Sequence, residues 1–169
     1  SSPDDLAALL ARVRACNACA GSLPLGPKPI LRASGEAPVL IASQAPGTKA
    51  HESGLTFFDA SGDRLREWLD VSSERFYDTR LFAIVPMGLC YPGRLPKGGD
   101  CPPRPECAPL WRNEILSQLH GIRLTLLVGS YSQNHLLGRG TVTERVRHFR
   151  QYVPSFFPLP HPSWRTGGW

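Results

Sequence analysis

Four short, uninterrupted apolar runs constrain this chain more than any other feature. They are Pro38-Val39-Leu40-Ile41-Ala42-Ser43, Leu81-Phe82-Ala83-Ile84-Val85, Leu124-Thr125-Leu126-Leu127-Val128-Gly129 and Phe156-Phe157-Pro158-Leu159. Runs without polar alternation suit strands buried on both faces of a parallel sheet. Helical patterns fall between them. Asp4 or Asp5 can cap a first helix in which Leu6, Leu9, Leu10 and Val13 recur. Ser61 starts a helix with Leu65, Trp68 and Leu69 toward the core, and Leu110, Ile115, Leu116 and Leu119 mark another. A short helix runs through Leu136 and Leu137, and a basic one spans Val142 to Tyr152. Strands alternating with helices predict a three-layer α/β/α fold around a central four-stranded parallel sheet. At 169 residues the chain suits a single domain over 1–169.

In such folds ligands bind beyond the carboxyl ends of the strands. Three segments rich in chemistry sit there: Gln44–Gly47, Met87–Gly93 and Pro160–Arg165. The loop from Met87 to Glu106 holds five Pro and four Gly. Loops of that length are usually functional.

The net charge of +5 is unevenly placed. From Gly121 onward stand six basic residues (Arg123, Arg139, Arg145, Arg147, Arg150 and Arg165) against Glu144 alone, so residues 1–120 balance. Clustered arginines suit a polyanion such as DNA, and they suit a solvated helix face equally well. No stretch approaches the ~20 apolar residues of a membrane helix, which excludes a helical membrane protein. Ser1-Ser2-Pro3 has neither the basic head nor the apolar stretch of a signal peptide, so a cytoplasmic monomer is the default expectation.

Ser43-Gln44-Ala45-Pro46-Gly47, followed after six residues by Gly54-Leu55-Thr56-Phe57-Phe58-Asp59-Ala60-Ser61-Gly62, resembles the opening motif of the uracil-DNA glycosylase superfamily. The closest branch is the iron–sulfur, thermophile-type family 4, whose pattern reads G-E-A-P-G, six residues, G-x-P-F-V-G-x-A-G. Val128-Gly129 with Leu136-Leu137-Gly138 resembles that family's third strand and helix, and His161-Pro162-Ser163 its closing motif. The resemblance spans nearly the whole chain. It implies an enzyme that flips a uracil or another deaminated base from single- or double-stranded DNA and hydrolyses its N-glycosidic bond.

On that resemblance Phe57 stacks the base, a role sequence alone does not separate from ordinary core packing. His161 faces the charge developing on the departing base. Ser163 meets a phosphate, and Trp164 or Arg165 fills the gap left by the flipped nucleotide. Packing against further chain is the other reading of Trp164. Two positions depart from the family. Gln44 replaces the acid and cannot be a general base, but it can position a water or contact the base through its amide and backbone. The family's base-reading Asn falls on Pro86, so recognition passes to backbone atoms around Met87 and Gly88, with Ala45 a further base-binding candidate, or the base differs from uracil. Asp59 and His51, ahead of Glu52, are then candidates to position water, or are simply loop surface.

Five cysteines argue for metal or reduced thiols rather than a disulfide framework. Cys16, Cys19, Cys90 and Cys107 resemble in order and spacing the four ligands of the family's 4Fe–4S cluster, with Cys101 an alternative to Cys107. Zinc or unligated thiols are the other readings. Two other functions stay open: a lesion-binding protein of the same fold with little chemistry, and a hydrolase of free nucleosides or nucleotides.

Overall fold

The computed structural model describes residues 3–163. Helix α1 (Pro3–Arg14) has Asp4 and Asp5 in its first turn and Arg12 and Arg14 in its last, charges that complement the helix dipole. Leu6, Leu9, Leu10 and Val13 are all buried, as their spacing predicts. Strand β1 (Val39–Ala42) leads into the short α2 (Thr48–Ser53) and then α3 (Ala60–Leu69). One turn of helix, α4 (Ser73–Phe76), precedes β2 (Phe82–Ile84). Helix α5 (Cys107–Ser117) feeds β3 (Leu124–Val128), and α6 (Ser130–Leu137) and α7 (Val142–Arg147) lead to β4 (Phe156–Leu159).

The four strands form one sheet in the order β2-β1-β3-β4, every neighbour parallel. Successive residues of a strand point to opposite faces, and here both faces are covered. Leu40, Ala83 and Val85 pack with Leu9, Leu10 and Val13 of α1 and Ile115 of α5. Ile41, Ile84, Leu126 and Val128 pack on the other face with Leu65 and Phe76. The predicted three-layer α/β/α fold is the one observed.

Several local expectations differ. Trp68 lies at the surface with the Arg64 guanidinium 5.6 Å from its ring, and Leu110 is half exposed. The interior turn of α3 belongs instead to Arg66, whose guanidinium sits over the rings of Phe76 (5.1 Å) and Tyr77 (5.6 Å). Such stacking lets a cation replace an aromatic beside the core. The basic helix stops at Arg147 and resumes as a 3₁₀ turn over Phe149–Gln151, where Phe149 turns onto Phe157 of β4 at 5.1 Å. Arg145 is buried, bonded to Asn134 Oδ1 (3.0 Å) and to the Gly138 carbonyl, so it serves the fold. Arg123, Arg139, Arg147 and Arg150 are exposed.

Candidate active site

Strand β1 has β2 on one side and β3 on the other, so the connections leave it in opposite directions and open a crevice at the carboxyl edge. An open cavity lies there. Its walls are Ser43 and Ala45–Gly47 after β1, Thr56, Phe57, Asp59 and Ser61 at the head of α3, Asp100 from the long loop, and His161 after β4.

His161 owes its position to the end of β4. Gln133 of α6, fully buried, donates from Nε2 to the carbonyls of Leu127 (3.1 Å) and Leu159 (2.9 Å), tying β4 to β3 two residues before the histidine. The ring lies close against Gly129, where an added Cβ would stand 3.6 Å from His161 Cβ and 3.7 Å from Cδ2. Burial pushes the imidazole below its ordinary pKa, with Asp59 and Asp100 opposing the shift. It is therefore neutral at neutral pH, one ring nitrogen carrying a proton to donate.

Phe57 is held in a conformation that bulky residues avoid, with φ of 61°. A strained backbone costs about 1–3 kcal/mol and persists only where its surroundings enforce it. Here they do. Arg66 Nη1 donates to the Phe57 carbonyl (3.0 Å), and Tyr77 donates its hydroxyl to the Thr56 carbonyl (2.7 Å). The ring packs edge-on against Phe76 at 6.0 Å while also lining the cavity. Phe57 thus packs against the core and lines the cavity at once. Gly62 makes room for the strained turn, since a Cβ there would fall 1.7 Å from the Phe57 oxygen. Gly62→Ala is expected to cost at least ~1–3 kcal/mol of stability, the range for overpacking. It should also displace the Phe57 ring, visible as a lower Tm and altered ring proton shifts. An unchanged Tm would show that the turn adjusts freely.

The other sequence candidates fall in different places. Ala45 and Asp59 line the cavity with His161 and Phe57. Asp59 also caps α3, its Oδ1 accepting from Gly62 N at 2.8 Å. The Gln44 amide turns to the long loop, Nε2 donating to the Cys101 carbonyl at 3.3 Å. Met87 and Gly88 do not offer N–H groups to a base, because those donate to the carbonyls of Ser43 (2.8 Å) and Gln44 (2.9 Å) as the two strand ends continue side by side. His51 stands outside the cavity walls, its ring 6.3 Å from that of Tyr91, and Glu52 is exposed. Arg64 Nη1 holds the Ser163 carbonyl at 2.9 Å, fixing the start of the final loop. Trp164 and Arg165 lie outside the described residues. Sequence reasoning missed Asp100, Arg66, Tyr77 and Gln133.

Cys16, Cys19, Cys90 and Cys107 line a second cavity, with Leu89, Trp111 and other apolar side chains filling the gaps. Cys101 is not among its walls. Burial raises the Cys90 thiol, helped by Cys16 and Cys19, and raises that of Cys107 to about 11, helped by Cys90, Cys19 and Cys16. Among the described residues no three or more His, Cys, Asp or Glu side chains stand in a metal-binding arrangement. The donor set itself suits a metal: four soft sulfurs with an apolar surround. An electrostatic observation agrees. Arg112 is buried, donates from Nη1 to the Val85 carbonyl (3.1 Å), and leaves its Nε and Nη2 without partners. Burial lowers its pKa to about 10, and Cys107 is the charge that opposes the drop. A buried cation with open donors near Cys107 fits an anionic thiolate there better than a neutral thiol.

The crevice, its aromatic wall and its half-buried histidine lie at the switch point of a parallel α/β sheet, where ligands of such folds bind. Residues 32–169 match the family described as the uracil DNA glycosylase superfamily. The chain belongs to that superfamily. Cys16 and Cys19 precede the matched residues, whereas Cys90 and Cys107 fall within them.

Proposed function

We propose that the protein is a DNA glycosylase that flips out uracil, or another deaminated base, and hydrolyses its N-glycosidic bond to leave an abasic site. The observation that carries this reading is the pairing of Phe57 with a neutral His161 across one cavity. A flat ring can stack an extruded base, and a neutral imidazole N–H can donate to the oxygen on which charge develops as the base leaves. A histidine already protonated would donate too, but burial disfavours that form here. Arg64 holds the Ser163 carbonyl, and in this reading Ser163 meets a phosphate of the DNA.

We also assign Cys16, Cys19, Cys90 and Cys107 as ligands of a 4Fe–4S cluster. When bound, such a cluster would supply structure rather than redox chemistry, because the hydrolysis moves no electrons. Cys90 and Cys107 flank the long loop, so the site would fasten both of its ends to the segment after α1.

The reading is tested with labelled DNA carrying a single uracil, single- and double-stranded, followed by alkaline cleavage of abasic sites. A strand break is expected with both. Excision should weaken steeply between about 50 and 200 mM salt, since phosphate contacts release counterions. DNA binding without any break favours a lesion-binding protein. Activity on free nucleosides with a flat salt response would mark a nucleoside hydrolase instead.

A further inference from the structure

We propose that Asp100, delivered by a small hairpin in the long loop, holds and deprotonates the attacking water. This rests on the glycosylase reading above. Nothing in the motif that marks the site includes this residue.

The hairpin is built for the purpose. Cys101 N donates to the Gly93 carbonyl and Leu95 N to the Gly99 carbonyl, both at 2.8 Å, and Arg94 pairs with Asp100 as an antiparallel bridge. Gly98 and Gly99 close the turn with φ of 96° and 84°, a conformation only glycine adopts without strain. The base of the hairpin is fastened to the site by Gln44, through its bond to the Cys101 carbonyl. An acid at position 44, ionised, could not donate that bond. The residue that departs from the family's acidic position therefore fastens the loop on which a different acid enters the cavity.

Asp100 meets the cavity beside Gly47, its Oδ2 standing 3.6 Å from the position a Cβ would take on that glycine. It shares the wall with His161 and Asp59. Of the two carboxylates, Asp59 has an oxygen committed to capping α3. Asp100 and His161 line the same cavity and lie close enough for each charge to act on the other. In the reaction the C1′–N bond breaks with its electron pair on the base, and the water oxygen bonds to C1′. The water proton passes to the Asp100 carboxylate and then to solvent. The base anion, steadied by His161, takes a proton from solvent on release.

The charged and titratable groups around Asp100 are Asp59, His161, Arg94 and Tyr91. Loss of hydration pushes its carboxyl above the usual carboxylate range, and Asp59 adds to this while Arg94 and His161 oppose it. The ionised form is lost as pH falls, so excision should show an acid limb set above ordinary carboxylate values.

The test is single-turnover excision from uracil-containing DNA across pH, with Asp100→Asn, Asp100→Ala and Asp100→Glu beside the wild type. Asp100→Asn should slow base release about a hundredfold, the usual scale of general-base loss. It should abolish the acid limb and leave DNA affinity and circular dichroism unchanged, while Asp100→Glu restores the limb. Because Asp100 is exposed at the cavity mouth, these variants should fold. The proposal is overturned if the wild type is active and Asp100→Asn stays within about threefold of it with the limb intact. It is overturned equally if that variant only tightens DNA binding, the mark of a charge that merely repels phosphate. A wild type releasing no deaminated base at all would remove the glycosylase reading, and this role with it.

Discussion

Replacing His161 with Ala is expected to slow base release by about a hundred- to a thousandfold, the cost of removing one preorganised donor from a developing oxyanion. The expectation follows from three features of the residue. Gln133 ties down the strand end before it, the ring packs beside Gly129 at the sheet edge, and burial favours the neutral imidazole. A neutral donor offers its full effect only when the base becomes negative, so the loss should fall on the rate and not on DNA affinity. Folding should survive, because the ring lies at a cavity wall. The pH response has a definite sign. His161 titrates below its ordinary value, so the unfolded chain binds this proton first as pH falls. Its contribution to stability is complete above about pH 6.5 and declines below that value. His161→Ala should lose that part of the acid sensitivity in thermal unfolding followed across pH. Equal excision rates for the variant and wild type would take His161 out of the chemistry.

The second large effect concerns the cysteine cavity. Metal-site binding free energies exceed ~10 kcal/mol, and whole domains are stable by only about 5–15 kcal/mol. Cys107→Ser and Cys90→Ser are therefore expected to yield protein that is iron-free and largely unfolded or aggregated. Cys101→Ser, outside the cavity, should keep its iron and its Tm. The wild type should be brown, with broad absorbance near ~400 nm, and should contain iron and acid-labile sulfide. Zinc in place of iron would keep the four-sulfur site and change its ion. Metal-free wild type that folds normally, with serine variants to match, would contradict the assignment and leave the unpartnered Arg112 donors without an explanation.

The framework was legible because its signals are local. Continuous apolar runs gave away the strands, since a strand buried on both faces has no polar positions to hide it. His161 and Phe57 were legible through motif order and spacing. Asp100 was not. Its relation to His161 exists only after a hairpin folds within the loop and Gln44 ties that hairpin to β1. Arg66 and Gln133 were missed for another reason. Both are polar residues on helices and read as surface, yet each is buried because its donors meet carbonyls at the ends of irregular segments. Trp68 shows the converse error. Helical spacing allows it toward the core, but Leu65 and Leu69 already fill that stripe. The departures Gln44 and Pro86 also gain a physical account. Gln44 holds a loop, and Pro86 lies fully buried between Val85 and Met87, whose N–H groups pair with Ile41 and Ser43.

The central claim is that this site breaks an N-glycosidic bond in DNA. Its most direct measurement is mass spectrometry of the small molecules released from a single-uracil oligonucleotide, with abasic sites counted in the same sample. The account predicts one free base for each abasic site, released by the wild type and nearly absent with His161→Ala. Retained oligonucleotide, bound and chemically intact, with no free base from uracil or from other deaminated bases, would contradict it.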